Sequence, residues 1–524
     1  MNALTFFPKT SPKPAPNAFF RLCLLAALAL LTPFLCCATK PDPHTLVMVI
    51  ESSPTNLDPR VGLDAQSERI DNLIFDDLLS RGENLNVAPG LAERWEIPDP
   101  LTYVFHLHQG VKFHDGRALT SRDVKWTFDS LLQGKVRSTK AAVYRFVDHI
   151  DAPDDFTVVF HMKEPSATLL WNVSDGAIGI VPYGSSDEIT RHPIGSGPFK
   201  FVTAETDKEV VVERNSEYWG EKPKLERVRF AVVPDETTRA LELRKGSADI
   251  AINSLTPDTV LTLRREPQLA VEQAPGTVLA YLGFNLRDPI LKDIRVRQAI
   301  AYALDRRPMI EYLWRDEAQL ARGILPPQSW AYNPDVASYP HDPEKSRQIL
   351  DAAGYPDTNG VRFHLTMKSG TDANGRLTIA VIQQQLRSVG IILDIRSAEF
   401  ATFFSDVTHG SFQLYCCLRW IGGNEDPDIF EYVFHSAKFP PNGANRGFYS
   451  NPQVDALIDQ ARREVDENKR KALYAEVQSI LAEQLPSINL WYLDNVLVHN
   501  RRVSNLQLNP AGNYDFLRTA ELAP

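Results

Sequence analysis

Two hydrophobic periods alternate along the chain. Over 101–109, LTYVFHLHQ, apolar and polar residues alternate with the two-residue period of a half-buried strand. The same period, or a short apolar run between turn residues, predicts strands at 46–50, 156–162, 199–202, 209–213, 227–233, 248–252, 279–285, 361–367 and 391–395. Between them the spacing becomes helical: Ile70, Ile74 and Leu78; Val124, Phe128, Leu131 and Leu132; Val296, Ile300, Ala303 and Leu304. Thr120 with Asp123 is close to a capping box. Asp342 and Pro343 open a helix that Gly354 closes, and Gly246 closes another over 235–245. Helices are also expected at 377–389 and after Asn451 and Glu467, the last stopped by Pro486. Strands and helices in alternation predict α/β layers.

One stretch breaks the pattern. The apolar run 412–418 passes through Trp420 into Gly422-Gly423, then into an acidic, proline-broken segment, and recovers as an apolar helix-like run to Phe434. A strand that ends in an indole beside two glycines reads as a cleft wall, because glycine admits close approach and an aromatic face offers contact area. The alternative is a core Trp followed by an ordinary turn.

The length of 524 residues implies two or three domains. Apolar content of 43% and charged content of 23% are those of a globular protein. The net charge is −10 with no Lys/Arg-rich run, so nucleic acid is not an expected partner. Of five cysteines, Cys23, Cys36 and Cys37 precede residue 40, which excludes a disulfide scaffold. Cys416 and Cys417 are adjacent on the apolar run. Strand alternation sends them to opposite faces as two buried thiols, and a vicinal disulfide in an oxidising compartment is the alternative.

Lys9, Lys13 and Arg21 precede LCLLAALALL at 22–31, about 15 Å of helix and too short to span a bilayer. A basic start, a short apolar core and small residues read as a secretory signal over 1–38, cleaved after Ala38. In the alternative, Cys37 becomes a lipidated first residue, although Phe34 stands where Leu is usual. The protein is expected in the periplasm or cell envelope, with any membrane tether confined to its N-terminus.

Catalytic motifs are missing: no Gly-x-Ser-x-Gly, His-Glu-x-x-His, P-loop or Cys-x-x-Cys occurs, so neither an enzyme nor a cofactor is expected. Gly195-Ser196-Gly197 precedes an extended segment rather than a helix, which argues against phosphate binding. His106 and His108 share a strand face, with His114 and Asp115 nearby, but His-Asp-Gly is turn chemistry and no metal site is expected. The acidic run 425–428 lacks the Gly and terminal Glu of a calcium loop, and Asp428 suits a helix start.

Several motifs, in order, carry a resemblance. They are LAERWEIPDPLTYVFHLHQGVKFHDGRALTSRDVKWTFDSLL (91–132), IGSGPFKF (194–201), RNSEYWGEKPKLERVRFAVVPDETTRALELRKGSADIA (214–251), YLGFN (281–285), DIRVRQAIAYALDR (293–306), DPEKSRQILDAAGYPDTNG (342–360) and IQQQLRSVGI (382–391). From about Leu46 to the C-terminus the chain resembles family 5 extracellular solute-binding proteins, the receptors of peptide, nickel and related ABC importers. The resemblance implies a two-lobed, type II periplasmic-binding-protein-like α/β fold with an inserted subdomain. Lobe I would comprise 44–76, 191–276 and 489–524, the inserted subdomain 77–190, and lobe II 277–488. It further implies a monomer without catalysis that closes on its ligand and docks on an inner-membrane permease with its ATPases.

In peptide-binding relatives a Trp, two residues and an Asp lie on the cleft wall, and the Asp accepts the peptide's α-ammonium. Here Trp420-Ile421-Gly422-Gly423 puts Gly423 at the acidic position. Either Glu425 or Asp426 takes the ammonium, or the ligand has none and the backbone around Gly422, Gly423 and Asn424 meets an anion or carbonyl. The resemblance also points to the loop after strand 361–367, where dipeptide-binding relatives carry an Arg. Lys368 would serve there as a point charge, with Ser369 beside it. Ser53 and Thr55, with Gly283 and Asn285, match segments that line the cleft and could hold an extended peptide as an added strand. A plain turn role is the alternative for each. Peptides or peptide-like solutes are the leading ligand class. An oligosaccharide, a metal chelate, or peptide sensing or chaperoning without transport are the other readings.

Overall fold

Two long antiparallel strands, Leu269–Phe284 and Ser487–Asn500, carry the architecture of the computed structural model, which describes residues 42–82, 85–174, 178–420 and 425–523. They sit inside one eleven-stranded sheet that serves both lobes. Towards one end Leu269–Ala274 pair with Asn495–Asn500, and the sheet continues through Ile250–Ile252, Thr45–Ile50, Arg227–Val232, Glu209–Arg214 and Phe199–Glu205. Towards the other end Val278–Gly283 pair with Ser487–Leu493, and the sheet continues through Leu414–Trp420, Phe363–Ser369 and Ile391–Ser397. The register shifts between Ala274 and Val278. A Cβ on Gly276 would stand 2.3 Å from the Leu493 carbonyl, so only glycine lets the strands close there.

Parallel pairs on each side, Thr45–Ile50 with Arg227–Val232 and Phe363–Ser369 with Ile391–Ser397, are buried by helices. In the first lobe Leu46, Met48 and Phe230 pack with Ile70 and Ile74 of the helix Ala65–Ile74. In the second, Leu365 and Met367 pack with Ile382 and Leu386 of the helix Ala373–Arg387. Each such side chain contributes about 1.5–3 kcal/mol when fully buried.

A separate four-stranded antiparallel sheet runs in the order Ala92–Asp99, Thr102–Leu107, Thr157–Met162, Val147–Asp154. Tyr103, Phe105 and Phe160 point to one face and close on Val124 and Phe128 of the helix Ser121–Leu132. Its start is the expected capping box, with Thr120 N–H donating to Asp123 at 2.7 Å. The caps at Asp342 and Gly246 also stand where the sequence places them, the latter at φ 75°. The strand expected at 279–285 starts ten residues earlier, at Leu269. Its first half carries Glu272 and Gln273, and cross-strand hydrogen bonds to 495–500 hold it extended without an apolar pattern.

The expected signal segment 1–38 and Cys37 lie outside the described residues, as do Gly422, Gly423 and Asn424. No helix among the described residues is long and apolar enough to cross a membrane.

Candidate ligand-binding cleft

In open α/β sheets ligands meet the carboxyl ends of parallel strands. In the second lobe those ends present Ser369, Ser397 and Trp420. The Trp420 indole stacks on Tyr281 with centroids 5.8 Å apart and planes 11° apart, and Tyr415 meets Tyr281 edge-on. The Arg446 guanidinium lies 4.8 Å from the Trp420 ring centroid and 5.2 Å from that of Phe404, and it donates to the Tyr281 hydroxyl at 3.0 Å. Tyr281, Tyr415, Trp420 and Arg446 line a cavity of about 30 Å³. Phe400 and Phe404 stack beside it, both exposed. Among the described residues no carboxylate lies within ion-pair distance of Arg446, and the groups set against its charge are π-faces and the Tyr281 and Tyr415 hydroxyls.

The candidate acids behind Trp420 are differently placed. Glu425 is 4% exposed and is paired with Arg81 at 2.5 Å and with the Thr277 hydroxyl at 3.2 Å. Asp426 is 3% exposed, 3.3 Å from Arg470, and accepts the Asp428 N–H. Burial raises the Asp426 carboxyl above its ordinary value and Arg470 opposes the rise. Both carboxylates therefore have cationic partners within the protein, which favours the second of the two alternatives the sequence leaves open, a site without an acid for the ligand ammonium. The sequence offers no sign of the partners, since Arg81 is 344 positions from Glu425.

The remaining candidates also have internal contacts. Lys368 pairs with Asp406 at 2.7 Å, and the Ser369 hydroxyl meets that of Ser397 at 2.9 Å. Ser53 Oγ accepts from Asp207 N–H at 2.7 Å, and Thr55 donates its hydroxyl to Asp64. Asn285 donates to the carbonyls of Phe412 and Gly410 at 2.8 and 3.3 Å. A Cβ on Gly283 would stand 2.2 Å from the Tyr415 ring, so that glycine makes room for an aromatic wall residue.

Cys416 and Cys417 are joined in a vicinal disulfide, which corrects the expectation of two thiols. Opposite Leu414–Trp420 the register moves from Tyr281↔Leu418 to Leu282↔Cys416, leaving Cys417 as an extra residue at φ 72°. The bulge cancels the alternation that would have separated the sulfurs. Tyr281 and Arg446 were not singled out by sequence. For Arg446 the available signal is an isolated cation in a turn-rich loop, Asn442-Gly443-Ala444-Asn445-Arg446-Gly447, with no acidic residue close by.

The model of the family "Bacterial extracellular solute-binding proteins, family 5 Middle" matches residues 86–440. The chain belongs to this family. It is similar to a protein named "Probable di/tripeptide-binding protein 5" of Pseudomonas aeruginosa, 31% identical over 530 residues and covering 95% of this chain and 99% of the relative. It is 27% identical to the "Dipeptide-binding protein" of Escherichia coli, over 91% of this chain and 95% of that one. Among solved structures, the oligopeptide-binding protein AppA of Bacillus subtilis in complex with a nonapeptide is 25% identical, with a TM-score of 0.73 and coverage of 92% and 99%. The two-lobed type II fold with its added subdomain is shared with these family members, which are solute-binding receptors.

Proposed function

We propose that this family 5 protein is the substrate-binding receptor of an ABC importer that captures peptides or peptide-like solutes between its lobes. The lobes are 44–76 with 191–276 and 489–524, and 277–488, while 77–190 is the inserted subdomain. The receptor binds without turnover, as a monomer in the periplasm or cell envelope, and delivers its solute to an inner-membrane permease with ATPases. Family membership and full-length relatives named for di- and tripeptides support the class.

The observation that carries the site is the Arg446 guanidinium held over Trp420 with no carboxylate among the described residues paired to it. A partly buried cation lacking a counter-charge gains most from an incoming anion, and the free fork of the guanidinium matches a carboxylate. The peptide's C-terminal carboxylate fills that role, with an apolar or aromatic side chain against Trp420, Phe404 and Phe400. Glu425 and Asp426 are engaged elsewhere, so the α-ammonium contributes less here than in a receptor with an acid at Gly423. Ser53, Thr55, Gly283, Asn285, Lys368 and Ser369 border the bound solute in this reading without adding it as a strand, since Gly283 is paired on both sides with Tyr415 and Ser487 and Thr55 N–H is held by Asp64 and Ser67. Native mass spectrometry of the protein purified from its own cell envelope tests the reading. Copurifying peptide masses support it, and a saturating non-peptide ligand replaces it.

A further inference from the structure

The histidines that the sequence draws together are kept apart by the structure. His106 pairs with Glu96 at 3.2 Å, His108 packs at a tilt against Trp219, and His114 donates to the Gly197 carbonyl. A different trio gathers on the outer face of the four-stranded sheet. His149 on Val147–Asp154 and His161 on Thr157–Met162 are direct cross-strand partners. Their rings stack 4.3 Å apart at 11°. Asp151 lies two residues after His149, on the same face by strand alternation. One ligand atom from each of the three residues lies within 4.8 Å of the others. Asp151 Oδ2 is 3.3 Å from His161 Nε2 and 3.8 Å from His149 Nε2.

We propose that His149, Asp151 and His161 form a binding site for one divalent transition-metal ion such as Zn²⁺, Ni²⁺ or Cu²⁺. An ion bound at about 2.0–2.2 Å from imidazole nitrogen and carboxylate oxygen separates neighbouring ligand atoms by roughly 3–3.6 Å, close to the spacing already present. Two imidazoles and one carboxylate suit these ions rather than Mg²⁺ or Ca²⁺, which prefer all-oxygen sets. Asp148 is an independent indication. Its carboxylate lies 2.8 Å from His149 Nδ1 and accepts that N–H, which fixes the tautomer whose Nε2 lone pair faces Asp151. A carboxylate behind a histidine is the usual outer partner of a metal-bound imidazole.

The site is open to solvent, so protein supplies three ligands and water the rest. It lies on the sheet face opposite Phe105 and Phe160, whereas Trp95 and Tyr103 of the inner face border a cavity of about 220 Å³ shared with Trp330 and Arg470. A bound ion would clamp the strand Val147–Asp154 to Thr157–Met162. It would be a fixture of the inserted subdomain, separate from the solute at Trp420.

The test is calorimetric titration of the EDTA-stripped, re-equilibrated full-length protein with ZnCl₂ and with NiCl₂ at pH 7.5, followed by the same titration of variants. One ion per chain is expected. Asp148→Asn should weaken it about tenfold. His149→Ala and His161→Ala should weaken it more than Asp148→Asn does, while Trp420→Ala leaves it unchanged. The wild type's melting temperature should rise with ZnCl₂ and that of His149→Ala should not, because an ion bound only to the folded state stabilises it. Asp148 and His149 are exposed and His161 is half-buried, so the apo variants of the first two should melt with the apo wild type. Stoichiometric binding that survives both histidine substitutions, or no binding by the wild type, overturns the proposal.

Discussion

Arg81 and Glu425 join parts of the chain 344 residues apart, with Nη1 2.5 Å from the carboxylate. The guanidinium also lies 3.9 Å over the Trp171 ring, and the second carboxylate oxygen takes the Thr277 hydroxyl where the long strand Leu269–Phe284 shifts register. One ion pair therefore ties the strand Leu79–Arg81, the long strand Leu269–Phe284 and the segment behind Trp420. Removing one partner leaves the other charge buried and uncompensated. Arg81→Met should lower stability by about 3–5 kcal/mol in urea unfolding. Arg81→Met with Glu425→Gln should recover at least about 1 kcal/mol of that loss, a coupling that a double-mutant cycle measures. Simple additivity of the two changes would show that the pair carries no net interaction.

His114 gives the fold an acid-sensitive point. Gly195 N–H donates to Nδ1 at 3.3 Å and Nε2 donates to the Gly197 carbonyl at 3.0 Å, a pattern only the neutral ring satisfies. Burial pulls its pKa down from 6.5 to about 4. The unfolded ring binds a proton between those pH values and the folded ring does not. This contribution is complete above pH 6.5 and is lost as pH falls towards about 4, at most about 3 kcal/mol in size. His114→Gln should flatten the stability profile between those limits. An unaltered slope would assign the acid sensitivity to other groups.

The Cys416–Cys417 bond has a direct chemical readout. The peptide containing both residues, isolated without reductant from protein purified under oxidising conditions, should be two hydrogens lighter than the dithiol and inert to iodoacetamide. After thiol reduction both cysteines should alkylate. Alkylation without reductant would restore the two-thiol expectation.

Much of the fold is written in short-range signals. The capping box at Thr120, the caps at Asp342 and Gly246 and the alternation of Thr102–Leu107 each involve residues a few positions apart, and the structure repeats them. Trp420 was legible for the same reason, an indole beside glycines at a strand end. The polar first half of Leu269–Phe284, the bulge at Cys417 and the partners of Glu425 and Asp426 were not. Each depends on a neighbour supplied by distant sequence, namely Asn495–Asn500, Tyr281–Leu282, Arg81 and Arg470. Arg446 was hidden differently: no carboxylate among the described residues pairs with it, and a lone Arg in a loop looks solvated until its aromatic neighbours are placed.

Trp420 should report the ligand optically and energetically. Trp420→Ala should weaken any peptide with a side chain against the wall and abolish the indole fluorescence change on binding. Retention of both would make Trp420 a core residue stacked on Tyr281 and nothing more.

Calorimetry of one tripeptide as free acid and as C-terminal amide, on the wild type and Arg446→Met, tests the central claim most directly. The free acid should bind the wild type more tightly by about 2–5 kcal/mol than the amide does, and Arg446→Met should erase that difference. Equal affinity of acid and amide for the wild type, or a preference that survives in Arg446→Met, would contradict the assignment of Arg446 as the residue that holds the peptide's carboxylate.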